Sequence, residues 1–357
     1  MRTVDADAHV VETMRTWEYL EPSERQYCPQ IVRPQGENTR EFWLIDGKLR
    51  GLARPVVTAA AFAEISRQAG RKMDTPRETR EMENVEARVH HMDELGIDVQ
   101  ILYPTIFIES VADRAEVEVA LCKSYNRWVA ELCKDHLDRL RWICVLPFLS
   151  LPDALDQLAF AQEHGAVGVF MRGIEGDRLL HDPYFYPVYD EVSRRNMAIG
   201  VHIGNSNTEM CDVLARRNIN GFWRFRLASV GAFHSLLMSE VPRVFPDLRW
   251  HFAEAAAQWV PYVIKDLKRR WPTTGRGEFP DDALARFNLY VSCQTDDDLG
   301  YLLRYTGEDT LVIGTDYGHN DQSSEVEALR NLEQSGEVTP AQYRKIVDDN
   351  PRALFGL

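Results

Sequence analysis

The sequence predicts one α/β domain, residues 1–357, that folds as a distorted (β/α)8 barrel. Three observations predict this class. Short apolar segments rich in β-branched residues recur along the chain, the segments between them have helical periodicity, and no repeat of fixed length is present. Strands that alternate with helices form a parallel sheet, and eight such units suit a closed barrel better than the alternative, an open doubly wound sheet.

The eight candidate strands are all short and largely apolar. In chain order they are Thr3–His9, Val99–Pro104, Arg141–Phe148, Ala166–Arg172, Ala198–Gly204, Leu248–Glu254, Phe287–Cys293 and Leu311–Tyr317. Segments 114–140, 151–164 and 182–195 carry apolar residues every three or four positions, which indicates amphipathic helices. The first strand lacks the G-x-G-x-x-G turn of a dinucleotide site.

Two insertions account for the excess over the roughly 250 residues of a typical barrel. The first, roughly residues 13–80, holds polar loop sequence and one hairpin signal, an Asp-Gly turn within Phe42–Leu49. The second, roughly residues 205–245, follows the fifth strand and has a mostly helical pattern. We expect both at the carboxyl-terminal face of the barrel, as a lid or a pocket wall, and packing helices over residues 324–357.

Composition and charge exclude several classes of protein. The chain has 41 basic and 55 acidic residues, and its net charge of −14 disfavours nucleic acid as a partner because phosphate backbones are repelled. No stretch of 18 apolar residues predicts a membrane span, and the amino terminus lacks the apolar core of a signal peptide. The six cysteines form no C-x-x-C pair, so we expect free thiols and a cytoplasmic location.

The end of the first predicted strand carries potential metal ligands. In a barrel, alternate strand residues point inward, and those at the carboxyl end reach the active face. Asp7 and His9 are two positions apart and share a face, and Glu12 follows on the loop. A carboxylate beside an imidazole at a strand end is typical of a metal site, whereas the alternative is a capping aspartate and a core histidine.

The fifth and eighth predicted strands supply matching residues. His202 lies in an apolar strand, where a buried histidine needs a polar partner. Asp316 ends another apolar strand, with His319 three residues later, and a buried aspartate is costly unless it is paired or binds a cation. Because a barrel brings strand ends to one rim, the sequence predicts a metal site that joins His202 and Asp316 to Asp7 and His9.

This order of ligands resembles a known superfamily. The Asp-x-His of the first strand, the strand-five histidine and the Gly-Thr-Asp of residues 314–316 are similar to the pattern of the amidohydrolase superfamily. Within it, the chain resembles the amidohydrolase-related group that includes the aminocarboxymuconate semialdehyde and γ-resorcylate decarboxylases. The resemblance covers nearly the whole chain, including Trp43–Lys48 and Phe245–Arg249, and implies a distorted (β/α)8 barrel with a divalent metal.

The chain departs from those decarboxylases at the end of strand six. The resemblance implies a histidine base there, and the position is best matched by Glu254. Strand alternation puts Glu254 and His251 on opposite faces, and the resemblance favours Glu254 as the one that faces inward. Glu254 is then a candidate ligand and catalytic group, and His251 is a core residue or a support for a ligand.

Strand four is a second departure. Dinuclear hydrolases of the superfamily often bridge two metals with a carboxylated lysine from this strand, whereas residues 168–172 contain none. Glu12, Glu254 and His319 are expected to form a second site, similar to carboxylate-rich sites that hold paired iron or manganese. The narrower pattern resembles a small branch of non-haem di-iron or manganese–iron monooxygenases. It implies two divalent ions, iron or manganese, with zinc expected for a hydrolase or decarboxylase.

The leading functional expectation is an O2-dependent monooxygenase with a dinuclear iron or manganese–iron centre that hydroxylates a small organic substrate. The alternative is a mono- or dinuclear metal-dependent hydrolase or decarboxylase of a small carboxylated substrate, in which Asp316 or Glu254 moves the proton. A non-catalytic barrel subunit is a third reading, which the complete ligand set disfavours. The resemblance also implies a homodimer.

Arg172, at the end of strand four, is the remaining candidate catalytic residue. It either clamps a substrate carboxylate with two parallel hydrogen bonds or pairs with a structural acid. Simpler roles are expected elsewhere. The adjacent His90 and His91 cannot share a helix face and are expected in solvent, Tyr103 is a candidate pocket wall, and Cys293 is a small buried hydrophobe.

Overall fold

The computed structural model describes residues 1–36, 40–55, 59–215, 221–320 and 323–357. Its centre is a parallel sheet of eight strands whose spatial order follows the chain. They are β1 (Val4–His9), β2 (Val99–Tyr103), β3 (Leu140–Cys144), β4 (Ala166–Arg172), β5 (Ala198–His202), β6 (Arg249–Ala253), β7 (Leu289–Cys293) and β8 (Leu311–Ile313). Each strand overlaps the segment predicted for it, and the predicted (β/α)8 barrel is confirmed.

The barrel closes between β1 and β8 through a short contact, which we call the seam. Ala8 and Tyr317 form an isolated parallel bridge. The backbone N–H of His9 donates to the carbonyl of Tyr317 at 2.7 Å, and that of Asp316 donates to the carbonyl of Asp7 at 2.9 Å. The register of β1 against β2 also shifts just before Ala8. The seam is therefore the distorted part of the barrel, and it carries candidate ligands of strands one and eight.

Helices connect the strands in the described part of the chain. The longer ones are Ala59–Ala69, Val85–Leu95, Ala115–Cys133, Leu151–Glu163, Tyr186–Arg194, Thr208–Ala215, Leu227–Met238, Val260–Arg270, Leu299–Thr306 and Ala328–Ser335. Shorter ones are Arg77–Arg80, Val241–Val244, Ala283–Arg286, Pro340–Arg344 and Asn350–Phe355. The predicted helix over 114–140 ends at Cys133. The residues that follow form the turns that lead to β3, which begins at Leu140.

The first insertion contains a three-stranded antiparallel sheet of Gln30–Val32, Arg40–Ile45 and Lys48–Pro55. The predicted hairpin is present, and its turn has positive φ angles at Asp46 (51°) and Gly47 (75°), as a two-residue hairpin loop requires. The strand Gln30–Val32 lies outside that prediction, because three residues carry too little alternation to indicate a strand.

The described part of the second insertion is mostly helical, as its sequence pattern indicates. Helix Thr208–Ala215 follows β5, and a π-helical turn, Phe222–Arg226, leads into the next helix. Arg224 contacts Glu109, which lies beyond the end of β2. This contact attaches the insertion to the carboxyl-terminal face of the barrel.

The hydrophobic core is continuous from the barrel interior to the outer helices. Tyr103 and Phe170 lie inside the barrel, with ring centroids 6.4 Å apart. The six cysteines are free thiols, and Cys293 is buried as expected. Among the described residues, no helix combines the length and the apolar character needed to cross a membrane.

Candidate metal centre

Three of the predicted ligands converge at the carboxyl ends of β1 and β5. The Nε2 atoms of His9 and His202 lie 3.1 Å apart. Oδ1 of Asp7 lies 3.5 Å from Nε2 of His9 and 3.7 Å from Nε2 of His202. All three side chains are buried. The barrel, rather than local sequence, brings them together, because the two histidines are 193 positions apart.

The two imidazoles are oriented by main-chain carbonyls. Nδ1 of His9 donates to the carbonyl of Pro104, and Nδ1 of His202 donates to that of Ile203, both at 2.9 Å. A neutral imidazole has one N–H, so Nε2 of each ring presents a lone pair to the other. Burial holds the pKa of His9 well below its ordinary value and keeps that ring neutral. A cation between the rings relieves the repulsion of the lone pairs, as in metal sites whose histidines donate through the other nitrogen.

Glu254 joins these residues from just beyond β6. Its Oε2 lies 3.0 Å from Nε2 of His202 and 3.9 Å from Nε2 of His9. Glu254 has a φ of 59°, a left-handed conformation that costs on the order of 1–3 kcal/mol and that clusters at functional sites. Ligand atoms of four residues lie within 4.8 Å of one another, and we call these residues the first group: Asp7, His9, His202 and Glu254.

Asp316 and His319 form a second group with two members of the first. Oδ1 of Asp316 lies 3.5 Å from Nε2 of His9 and 2.8 Å from Nδ1 of His319. The His319 ring stacks on that of His9, with centroids 3.7 Å apart, and Asp316 also has a left-handed φ of 50°. The second group consists of His9, Glu254, Asp316 and His319, whose ligand atoms again lie within 4.8 Å of one another.

The chemistry of the first group suits a divalent cation. Burial raises the pKa of Asp7 well above its ordinary value; His202 lowers it, and the carboxylates of Glu254 and Asp316 raise it further. Oδ1 of Asp7 is buried and accepts no hydrogen bond from the described residues. A buried carboxylate oxygen without a donor is costly unless it binds a cation. Imidazole nitrogen and carboxylate oxygen together fit zinc, manganese or iron.

Glu12 does not join either group. Its two carboxylate oxygens accept hydrogen bonds from the backbone N–H groups of Thr105 and Ile106, each at 3.0 Å. Desolvation raises the pKa of this buried side chain to about 7, although the backbone hydrogen bonds lower it. The geometry therefore gives Glu12 the role of fastening the loop after β1 to the loop after β2, and metal binding by Glu12 stays a prediction.

Arg172 lies at the end of β4, opposite His202 in the ladder. Its Nη1 donates to Oε2 of Glu175 at 3.1 Å, and its backbone N–H donates to Oε1 at 2.7 Å. The guanidinium is buried, and its Nε donates to no described residue. The arrangement matches the second predicted role, pairing with an acid, and leaves the buried Nε without an acceptor among the described residues.

His251 lies inside the barrel, which corrects the prediction that it and Glu254 occupy opposite faces. Its ring nitrogens contact the hydroxyls of Tyr103 and Ser292, each at 2.7 Å. The ring of Tyr103 in turn lies 5.4 Å from that of His202. The prediction was wrong because it continued strand alternation past the end of β6, where the left-handed φ redirects Glu254. Burial lowers the pKa of His251 to about 3, so this ring is neutral.

Two smaller expectations also need correction. His91 is half-buried, because Nδ1 of its ring contacts the hydroxyl of Tyr317 at 2.7 Å, whereas His90 is exposed as expected. The two neighbours differ because the helix that bears them packs one side against the seam. Tyr103 is fully buried among the rings below the ligands and is not a pocket wall.

Sequence reasoning missed a set of buried polar residues behind the ligands. Asp5, Gln100 and Arg88 are fully buried and joined by hydrogen bonds. Each had a signal in the sequence. Asp5 alternates with Asp7, Gln100 interrupts an apolar strand, and Arg88 lies four positions before Met92 on the apolar stripe of its helix.

A small cavity borders the carboxylates of both groups. Its lining is polar at the end of β7. The lining residues are Asp7, Glu254, Ser292, Cys293, Gln294, Gly314, Asp316 and Ser323. The carboxylates of Asp7, Glu254 and Asp316 therefore border a small cavity at the rim of the barrel.

Comparisons with known proteins agree with the barrel fold. The family model Amidohydro_2, described as amidohydrolase, matches residues 4–357. An amidohydrolase from Mycobacterium avium subsp. paratuberculosis K-10 has a TM-score of 0.81 at 19% identity and covers 99% of both chains. The 5-carboxyvanillate decarboxylase of Sphingomonas paucimobilis (TM-score 0.69, 15% identity) covers 100% of this chain and 99% of its own. The 2,6-dihydroxybenzoate decarboxylase from Rhizobium (0.64, 16%) covers the same shares, and all three share the fold.

Proposed function

The chain belongs to the amidohydrolase family, and on that premise we propose that it is a metal-dependent hydrolase or decarboxylase of a small carboxylated substrate. The observation that carries this proposal is the facing pair of Nε2 atoms of His9 and His202, beside the buried carboxylate of Asp7. The sequence offered this function as its second expectation. The monooxygenase expectation has no support in the comparisons, whereas two of the proteins that share the fold are decarboxylases.

The tighter ion belongs in the first group. A histidine Nε2 has one lone pair, so His9 serves one ion at a time although both groups contain it. Its orientation toward His202 assigns it to the first group. A second ion would then be held by Asp316 and His319, with Glu254 available to either group. This arrangement favours one tight site and one weaker site in each chain.

A divalent ion held by the first group would supply Lewis-acid chemistry, which activates water and polarises a substrate carbonyl or carboxylate. The chain's own residues hold and move the proton. Asp316 is suited to this, because its Oδ2 accepts a hydrogen bond from the Ser324 hydroxyl at 2.7 Å while Oδ1 faces the two histidines of the second group. In hydrolysis, it takes the proton of the attacking water and gives it to the leaving group.

Three buried donors near the ends of β4 and β5 favour an anionic group on the substrate. The Nε atoms of Arg172 and Arg224 and Nδ2 of Asn205 donate to no described residue. Arg172 pairs with His202 in the ladder, and Asn205 follows His202 by three residues. A buried donor without an acceptor is costly, and a substrate carboxylate would provide acceptors whose negative charge complements the arginines.

Glu254 favours hydrolysis over decarboxylation. The decarboxylases that the sequence resembles carry a histidine at the end of strand six, where this chain has Glu254. Decarboxylation ends when a proton reaches the carbon that has lost CO2, and histidine is ordinarily a better proton donor than a carboxylate at neutral pH. Hydrolysis needs a proton acceptor near water, which a carboxylate supplies.

The test combines metal analysis with a substrate panel. Purified protein is assayed by plasma mass spectrometry and incubated with small carboxylated amides, esters, lactones and hydroxybenzoic acids, while acid release, CO2 release and O2 consumption are followed. We expect turnover without O2 that is lost in His202→Ala and kept in His234→Ala, a histidine paired with Asp266 outside the site. Hydroxylation coupled to O2 uptake, or full turnover by metal-free protein, would contradict the proposal.

A further inference from the structure

Arg88 lies directly behind the candidate ligands without being one of them. It belongs to the helix Val85–Leu95 and is fully buried. It forms no direct ion pair within the described part of the chain, and Gln100 links it to the carboxylate of Asp5. Burying a guanidinium without a direct counter-ion is costly, so its polar contacts must offset that cost.

The donors of Arg88 reach the backbone of a first-group residue. Its Nη1 donates to the carbonyl of His9 at 3.1 Å and to that of Thr79 at 3.2 Å. Its Nε donates to Oε1 of Gln100 on β2 at 2.7 Å. Arg88 therefore fixes the peptide that follows the His9 imidazole.

Arg88 also contacts the opposite side of the seam. Its guanidinium carbon lies 3.8 Å from the ring centroid of Tyr317, the residue that follows Asp316. The Tyr317 hydroxyl is held by Thr79 and His91, at 2.6 and 2.7 Å. A guanidinium stacked on a buried aromatic ring is attracted to it and restricts its movement.

A chain of hydrogen bonds leads from Arg88 through Gln100 to the residues that flank the candidate ligands. Gln100 donates through Nε2 to Oδ2 of Asp5 at 2.9 Å. Asp5 accepts the backbone N–H of Thr315 at 2.9 Å and the Thr315 hydroxyl at 2.6 Å. Asp5 precedes Asp7 by two residues, and Thr315 immediately precedes Asp316, so this chain of hydrogen bonds joins β1 to the end of β8.

We propose that Arg88 is a positioning residue that sets the metal affinity of the centre by holding β1 and β8 in register across the seam. The proposal rests on the proposed function only in requiring that a metal binds. The seam has few backbone hydrogen bonds, and the left-handed conformation of Asp316 persists only where its surroundings hold it. A lysine at position 88 keeps the charge but loses the planar fork and the stacking.

The experiment compares Arg88→Met and Arg88→Lys with the control Leu158→Ala, which empties a buried position in the helix Leu151–Glu163. Metal-depleted proteins are titrated with Zn²⁺ against a chromophoric chelator and with Co²⁺ by visible absorption, which reports ligand geometry. We expect Arg88→Met to lose about 10–100-fold in Zn²⁺ affinity, the range seen for groups that orient ligands, and to change the Co²⁺ spectrum. Arg88→Lys should lose less, and Leu158→Ala should keep the affinity and spectrum of the unmodified chain despite its lower stability.

Unchanged affinity and spectrum in Arg88→Met would overturn the proposal, as would an equal loss in Leu158→Ala, because lower stability would then explain the effect. Should Arg88→Met fail to fold, Arg88→Lys decides by the same two measurements. A chain that binds Zn²⁺ but turns over no carboxylated substrate removes the proposed function and leaves this inference standing. An unmodified chain that binds neither ion overturns both.

Discussion

His9 and His202 face each other through Nε2 atoms 3.1 Å apart, although 193 positions of sequence separate them. Each ring donates through Nδ1 to a main-chain carbonyl, so a neutral ring has no proton left to offer at Nε2. Burial opposes protonation of His9 by lowering its pKa. A cation bound between the two rings would remove the repulsion of their lone pairs. For this reason we interpret the rim of the barrel as a metal centre.

Asp316→Ala is expected to lose the second, weaker ion and activity together, because it removes a carboxylate that faces His9 and His319. Alanine also fits poorly at a φ of 50°, whereas asparagine tolerates it, so Asp316→Asn isolates the effect of the charge. Metal content and turnover are measured on the same samples. Full metal content in both variants would contradict the assignment of Asp316 as a ligand.

Arg172→Gln is expected to raise KM by roughly tenfold or more with a smaller change in kcat, because a donor to a remote carboxylate binds the ground state and the transition state alike. Arg178→Gln, a change at a surface arginine paired with Asp177, is the matched control. Steady-state kinetics decide between the two roles of Arg172. An unchanged KM would mean that its pair with Glu175 is its only role.

The His251→Gln variant is expected to lose less of its free energy of unfolding than the unmodified chain when the pH is lowered from 7 to 5. The pKa of His251 is about 3 in the folded state, against an ordinary value of 6.5, so only the unfolded chain takes up this proton between those values. Its contribution to stability is therefore complete above about pH 6.5 and is lost as the pH falls toward 3, by at most roughly 1.4 kcal/mol per pH unit. Urea unfolding of metal-depleted protein at pH 5 and pH 7 measures it. Equal losses in the variant and the unmodified chain would contradict this role.

Removing the metal is expected to lower the thermal unfolding temperature, and adding it back is expected to restore it. An ion that binds only the folded chain stabilises it by about 2.7 kcal/mol at a free concentration of 100 times Kd. Thermal scans with a chelator, then with excess Zn²⁺ or Mn²⁺, measure the change. His202→Ala should show little response, and a response equal to that of the unmodified chain would place the stabilising ion elsewhere.

The strands and the positions of three candidate ligands could be predicted because they depend on simple alternation. Each barrel strand is a short apolar segment, and its inward residues follow a period of two. Asp7 and His9 share a face for that reason, and His202 ends an inward-facing row on β5. A barrel topology then suffices to bring them together.

The other parts of the site depend on features that alternation does not contain. Glu254 reaches the ligands through a left-handed φ beyond the end of its strand. Both carboxylate oxygens of Glu12 accept hydrogen bonds from backbone N–H groups that lie 93 and 94 positions away, and local sequence cannot indicate such contacts. Arg88 is a charged helix residue, and such residues are usually solvated, so its burial follows only from the packing of its helix against the seam.

A crystal structure with an anomalous difference map, collected at the absorption edge of the metal found by elemental analysis, tests the central claim most directly. We expect a peak within bonding distance of Nε2 of both His9 and His202 and of a carboxylate oxygen of Asp7 or Glu254. An active, metal-containing crystal with no peak between the two histidines would contradict it.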